Sequence, residues 1–176
     1  MYKMSEKPLI TATQIAERLD TLAQEIKAFH PEIILSVLTG SYIFTADLSR
    51  RLSSPDLQIK FIKASSYGCS TESSGKLKVS GLEGIDICGK RVLVIDDILD
   101  TGCTMESLAK ILNGMGASLI KTCVLLNKES RRTVDFHADF VGFEIENEFV
   151  VGYGLDYANN YRTFPDIWTL RDENGK

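Results

Sequence analysis

The stretch Val92-Leu93-Val94-Ile95-Asp96-Asp97-Ile98-Leu99-Asp100-Thr101-Gly102-Cys103-Thr104 restricts the fold more than any other part of the chain. It opens on four apolar β-formers, three of them β-branched, with no polar residue on either side of the alternation. Such a strand must be covered on both faces, as a central strand of a parallel sheet between helices is. Two acids are expected to end it at Ile95, and a helix is expected to start near Met105.

The same strand, glycine turn and helix pattern occurs earlier. Residues 33–38 read as a buried strand, Thr39-Gly40-Ser41 as a turn, and residues 42–52 as a helix with Phe44, Leu48 and Leu52 inward. Before it, Thr11 and Gln14 have capping-box spacing, and Ile15, Leu19, Leu22 and Ile26 recur at helical spacing until His30-Pro31. Residues 58–64 and 76–79 alternate like half-buried strands around the polar, glycine-bounded segment 65–75, expected to be a mobile hairpin loop. After the helix carrying Leu108, Ile111, Leu112 and Met115, residues 120–126 form the next apolar strand, completing a βαβ unit with parallel pairing. Residues 140–145, 149–151 and 167–170 are shorter strand candidates. The expected fold class is α/β: an open, mainly parallel sheet flanked by helices, with a small strand-rich hood.

Bulk composition narrows the function classes. A chain of 176 residues, 44% hydrophobic and 25% charged, is expected to form one domain over 1–176. A net charge of −4 leaves no electrostatic footprint for nucleic acid or an anionic membrane surface. Cys69, Cys88, Cys103 and Cys123 form no Cys-x-x-Cys, and His30 and His137 stand alone, so reduced thiols are expected rather than disulfides or a metal cluster. With no hydrophobic signal core and no run near the ~20 apolar residues of a membrane span, a cytoplasmic location is expected.

Three polar segments fall just past the carboxyl ends of predicted strands: Thr39-Gly40-Ser41, Asp96-Asp97 with the Thr101 loop, and Asn127-Lys128. In open α/β sheets that edge binds ligands. Thr101 and Thr104 offer hydroxyls, Gly102 lets backbone N–H groups approach closely, and the following helix N-terminus attracts an anion. Asp96 and Asp97 would repel a phosphate, so they should face neutral hydroxyls, a bound Mg²⁺, or both. A ribose phosphate meets both demands. Asp100 alone would read as a helix N-cap, but two further acids at the strand end favour a site. A Walker A loop would need Gly-Lys-Ser/Thr where Gly102-Cys103-Thr104 stands, and a dinucleotide fingerprint would need further glycines.

The stretch resembles the signature by which type I phosphoribosyltransferases bind phosphoribosyl pyrophosphate (PRPP), and from about Leu38 to Arg162 the resemblance narrows to the hypoxanthine-guanine phosphoribosyltransferases. It implies the type I phosphoribosyltransferase fold. It implies ribose contacts from Asp96 and Asp97, and a 5′-phosphate loop of Thr101, Gly102, Cys103 and Thr104. Asp100 would act as general base or acid beside N7 of the purine, where the adenine, orotate and xanthine enzymes usually have alanine. Thr39 and Gly40 would bind pyrophosphate through backbone N–H groups of a loop with a non-proline cis peptide, although the family usually has Lys or Arg where this chain has Thr39. Arg132 and Arg162 would be further pyrophosphate ligands. Ser66 and Tyr67, with Gly68 and the far end Ser73-Ser74-Gly75, would form the lid that keeps water from C1′.

Lys128 is a donor without acceptor capacity, matching the 6-oxo group of hypoxanthine or guanine and opposing the 6-amino group of adenine. Phe149 would stack on the purine, Val150 would read its edge through the backbone, and Asp156, with Asp96 and Asp97, would serve a metal site for Mg²⁺. The implied reaction is purine salvage, yielding IMP or GMP from PRPP and a 6-oxopurine, with xanthine preference as the alternative specificity. The resemblance further implies a homodimer or homotetramer, with neither nucleic acid nor membrane as partner.

A response-regulator receiver also begins with paired aspartates after an apolar strand. Only 79 residues follow Asp97, and no downstream strand ends in the required aspartate with a lysine after it. Asp100-Thr101-Gly102 as an aspartic-protease motif would need a second copy. The remaining rival is a PRPP-sensing, RNA-binding regulator on the same fold, disfavoured by the acidic charge and by the purine set from Lys128 to Asp156.

Overall fold

The computed structural model describes residues 2–66 and 77–172. In chain order its elements are β1 (Tyr2–Met4), α1 (Ala12–Lys27), β2 (Ile33–Leu38), α2 (Tyr42–Leu52), β3 (Gln58–Ser66), β4 (Leu77–Ser80) and β5 (Arg91–Leu99). There follow α3 (Cys103–Gly114), β6 (Leu119–Asn127), a 3-10 turn (Glu129–Arg131), β7 (Phe140–Glu144), β8 (Phe149–Val151) and β9 (Trp168–Asp172).

Six strands form one sheet in the order β4-β3-β2-β5-β6-β7, with every pair parallel except the antiparallel edge pair β3–β4. The apolar runs divide by alternation between two cores. Ile34, Leu93 and Ile95 face the side covered by α1 and α2, while Ile33, Leu35, Val37, Val92 and Val94 face the side covered by α3. That two-sided burial is why these strands carry no alternating polar residues. The capping box of α1 is present, with Gln14 N donating to Thr11 Oγ1 at 3.3 Å and Thr11 N donating to Gln14 Oε1 at 2.9 Å. The apolar stripe of α1 is buried as expected.

A second, antiparallel sheet β1-β9-β8 forms the hood. β1 had no sequence signal. It exists because Tyr2, Lys3 and Met4 pair with Asp172, Arg171 and Leu170, a partnership between opposite ends of the chain. Two further differences lie at the site. β5 does not end at Ile95 but runs through both aspartates to Leu99, because pairing with β6 continues at Ile98 and Leu99. α3 begins at Cys103, earlier than expected, with Gly102 as its N-cap. Among the described residues, no helix is long and apolar enough to cross a membrane.

Candidate active site

The carboxyl ends of β2 and β5 and the start of α3 enclose a cleft of about 250 Å³. Thr39 and Gly40 form one wall, Asp96 and Asp97 the floor, and Asp100, Thr101, Gly102 and Thr104 the other wall, while Cys103 does not line the cleft. Sheet topology produces this meeting: β2 and β5 are parallel neighbours, so the turns that follow them emerge side by side.

The paired acids satisfy part of their own backbone. Asp96 Oδ1 accepts from Asp97 N at 2.9 Å, and Asp97 Oδ1 accepts from Ile98 N at 2.7 Å. Burial raises the pKa of both carboxyls, well above the usual range for Asp96, and the charge of Asp97 pushes Asp96 further in the same direction. Arg162 acts the other way on Asp97. The pair is therefore electrostatically unfavourable in the fold.

The Thr39-Gly40 turn is held from two sides. A Cβ on Gly40 would fall inside the Asp97 carboxylate, only 2.6 Å from Cγ, and a Cβ on Gly154 would overlap the Gly40 carbonyl oxygen. The Leu38–Thr39 peptide is cis, as the resemblance implies for this loop. Gly154 belongs to the segment after β8, where Arg162 Nη1 donates to the Gly154 carbonyl at 2.7 Å and Arg162 Nη2 pairs with Asp156 Oδ1 at 2.8 Å. The other carboxylate oxygen of Asp156 accepts from Asn159 N at 2.8 Å.

Arg132, expected among the pyrophosphate ligands, has a side chain only 8% exposed and packs against the Asp100 and Gly102 backbone. Its Nη1 donates to the Asp100 carbonyl at 2.9 Å, its Nη2 donates to Asn127 Oδ1, and its Cδ lies 3.0 Å from where a Gly102 Cβ would sit. Its Nε is buried without a hydrogen-bond partner among the described residues. The left-handed φ of +88° at Gly102 and this close packing both require glycine there. Sequence reading missed Arg131, whose Nε lies 3.1 Å from Asp100 Oδ1. Two consecutive arginines thus grip Asp100, one by its carboxylate and one by its backbone. The only signal was their position just after the Lys128 strand end.

Lys128 is 9% exposed; its backbone N donates to the Leu99 carbonyl at 3.0 Å, and its Nζ donates to the Glu148 carbonyl at 2.7 Å. Burial lowers its pKa, against the field of Asp100. The next residue after Glu148 is Phe149, an aromatic ring 47% exposed and edge-on to Tyr157 at 5.8 Å. Val150 is buried. Cys103 Sγ lies 3.5 Å from Thr133 Oγ1, and Thr101 and Thr104 line the cleft. Ser66 closes β3; its side chain and the expected lid at Tyr67 and residues 68–75 lie outside the described residues.

A sequence model of the phosphoribosyl transferase domain matches residues 10–158. The chain belongs to the phosphoribosyltransferase family. It is 41% identical over 170 residues to the hypoxanthine-guanine phosphoribosyltransferase of Aquifex aeolicus, covering 94% of this chain and 95% of that protein. It is also 39% identical over 169 residues to the enzyme of the same name from Bacillus subtilis, covering 94% and 93%. A crystal structure of a hypoxanthine-guanine phosphoribosyltransferase from Bacillus anthracis superposes with a TM-score of 0.86 at 37% identity, covering 97% of this chain and all of that one (100%).

In a phosphoribosyltransferase, the raised Asp96 pKa has a measurable consequence. A carboxyl with a raised folded pKa stabilises the fold fully below its ordinary pKa and loses that contribution as pH rises through the folded value. At neutral pH the Asp96–Asp97 pair therefore costs stability. Asp96→Asn, which keeps an acceptor for Asp97 N, is expected to raise Tm at pH 7.5, by about 2–4 °C for each 1 kcal/mol relieved. The gain should shrink as pH falls toward 4 in a series of thermal melts. An unchanged Tm at every pH would mean that the pair is not unfavourable.

Proposed function

We propose that this phosphoribosyltransferase moves the 5-phosphoribosyl group of PRPP onto N9 of a 6-oxopurine, hypoxanthine or guanine, yielding IMP or GMP and pyrophosphate in purine salvage. The observation that carries the base class is Lys128. Its buried ammonium donates to the carbonyl of Glu148, the residue that precedes the exposed Phe149 in the chain. An ammonium offers donors only, so it complements a 6-oxo group and leaves a 6-amino group facing another donor. The likeness to the two hypoxanthine-guanine phosphoribosyltransferases supports the same class.

The residues divide the work. Thr101, Gly102, Cys103 and Thr104 at the start of α3 hold the 5′-phosphate, and Asp96 and Asp97 take the ribose hydroxyls. Thr39, Gly40 and Arg162 surround the pyrophosphate, which leaves C1′ as N9 attacks with inversion through a transition state of oxocarbenium character. Asp100 exchanges the proton at N7 as positive charge develops on the purine. Val150 reads the purine edge through its backbone.

A Mg²⁺ ion fits this donor set. Two like-charged carboxyls whose ionised forms burial disfavours would be relieved by a cation. No three His, Cys, Asp or Glu side chains converge as a metal cage among the described residues, and Mg²⁺ commonly completes its shell with substrate phosphates and water. Asp96 and Asp97 would hold it at the cleft, with Asp156 a separate carboxylate donor that does not converge with them, and it would supply positive charge at the leaving pyrophosphate.

The test is initial rates with PRPP and Mg²⁺ against hypoxanthine, guanine, xanthine and adenine offered separately. Turnover of 6-oxopurines with little on adenine is the expected result, and the same data rank xanthine. PRPP binding without turnover of any base would instead favour the regulatory reading. Lys128→Gln is expected to relax the bar against adenine by about 10-fold or more in the kcat/KM ratio. An unchanged ratio would mean that Lys128 does not read the base.

A further inference from the structure

β2 is apolar except at Ser36, whose side chain is 0% exposed. Ser41 and Thr45 are as deeply buried, at 0% and 1%. The three hydroxyls join: Ser36 Oγ is 2.9 Å from Ser41 Oγ and 2.8 Å from Thr45 Oγ1, and Ser41 Oγ donates to the Val37 carbonyl at 2.5 Å. Each hydroxyl has one proton, so the last bond fixes the direction of the others. With the Ser41 proton on Val37, Ser36 donates to Ser41, and Thr45 donates to Ser36. The relay therefore runs from the first turns of α2 through the central strand to the residue after the glycine loop. It ends on the main chain just before that loop.

Only Leu38, Thr39 and Gly40 lie between Val37 and Ser41. The relay ties both ends of this segment to one point on β2. Backbone bonds add to it, with Tyr42 N donating to the Thr39 carbonyl at 3.2 Å and Thr45 N to the Ser41 carbonyl at 2.8 Å. Gly40 also packs directly on the Asp97 carboxylate, so a small shift of the loop reaches the floor of the cleft. At Thr39 the side chain is neutral, leaving anion binding here to N–H groups, whose strength depends on aim.

We infer that Ser36 and Thr45 are positioning residues that hold the Leu38-Thr39-Gly40 backbone in register for the pyrophosphate of PRPP, acting through Ser41. This rests on the pyrophosphate role given to that loop under Proposed function. Neither side chain touches substrate.

Three variants test it. Thr45→Val keeps the shape and removes the first donor, leaving Ser36 short of a partner. It is expected to raise the PRPP KM about tenfold with the hypoxanthine KM unchanged, and to lower Tm. Thr45→Ser keeps the hydroxyl and should restore the wild-type PRPP KM. The double variant Ser36→Ala/Thr45→Val also removes the bond from Ser36 to Ser41, so the PRPP KM should rise at least as far as in Thr45→Val, again with the hypoxanthine KM unchanged. Calorimetric binding of inorganic pyrophosphate with Mg²⁺ is measured beside the kinetics and should weaken in parallel. A lowered Tm in Thr45→Val and in the double variant with the PRPP KM unchanged would reduce the relay to a stability feature and overturn the inference. So would wild-type PRPP KM and pyrophosphate affinity in every variant. A wild-type protein that binds pyrophosphate but turns over no 6-oxopurine would sink the functional reading, and the calorimetric series would still decide the relay.

Discussion

Asp100→Asn is expected to lower turnover about 10²–10⁴-fold while PRPP still binds, because the substitution removes proton-transfer capacity and, besides that, only the charge of the exposed ion pair with Arg131. The amide has nearly the shape of the carboxylate. The backbone of the phosphate loop is held independently of it, since Arg132 grips the Asp100 carbonyl and Thr133 N donates to the Thr101 carbonyl at 3.0 Å. The loss should therefore fall on kcat with saturating hypoxanthine, and the calorimetric affinity for PRPP with Mg²⁺ should change little. Wild-type turnover would remove Asp100 from the chemistry. A parallel fall in turnover and PRPP affinity would show instead that the carboxylate, paired with Arg131, shapes the loop.

Gly40→Ala is expected to abolish measurable PRPP binding in a protein that still folds. The added methyl would occupy the space of the Asp97 carboxylate, which is anchored by Ile98 N and cannot turn away without losing that bond. Either Asp97 leaves the cleft floor or the loop lifts from it, and both separate groups that should bind the same ligand. A displacement near 1 Å at a positioned group is worth about 10²-fold or more in rate. The fold should survive because the clash is with the end of a side chain at the cleft, not with the cores above and below the sheet. Circular dichroism and initial rates with raised PRPP concentration check both halves of this statement. Unimpaired kinetics would mean that loop and carboxylate move freely in solution.

The features legible in the chain share a short range. The capping box at Thr11, the periodicities of α1 and α2, the doubly buried strands and the polar turns after their carboxyl ends each need fewer than about 18 residues to be recognised. The end of β5 was misplaced because two adjacent acids look like a stop. A neighbouring strand that continues to pair, and carboxylates that cap the next N–H groups, keep the strand going. The place of Arg132 in the motif gives an expected ligand role but not its contacts within the fold. Its actual neighbours, Asn127 and the Asp100 carbonyl, lie on two different strand ends and give no sequence signal.

Residue pattern sufficed for the α/β class and for the polar turns that follow the carboxyl ends of β2 and β5, because burial on two faces and a strand-to-helix switch are written in consecutive residues. Only the tertiary structure decided which of them touch. The contact of Gly40 with Asp97 and Gly154, the seat of Lys128 against the Glu148 carbonyl and the hood strand at Tyr2–Met4 join segments distant in the chain and brought together by sheet order, whereas the buried relay of Ser36, Ser41 and Thr45 forms where α2 packs back on β2. Sheet order is set by the packing of whole elements against one another, an energy summed over both cores that no single stretch of sequence contains.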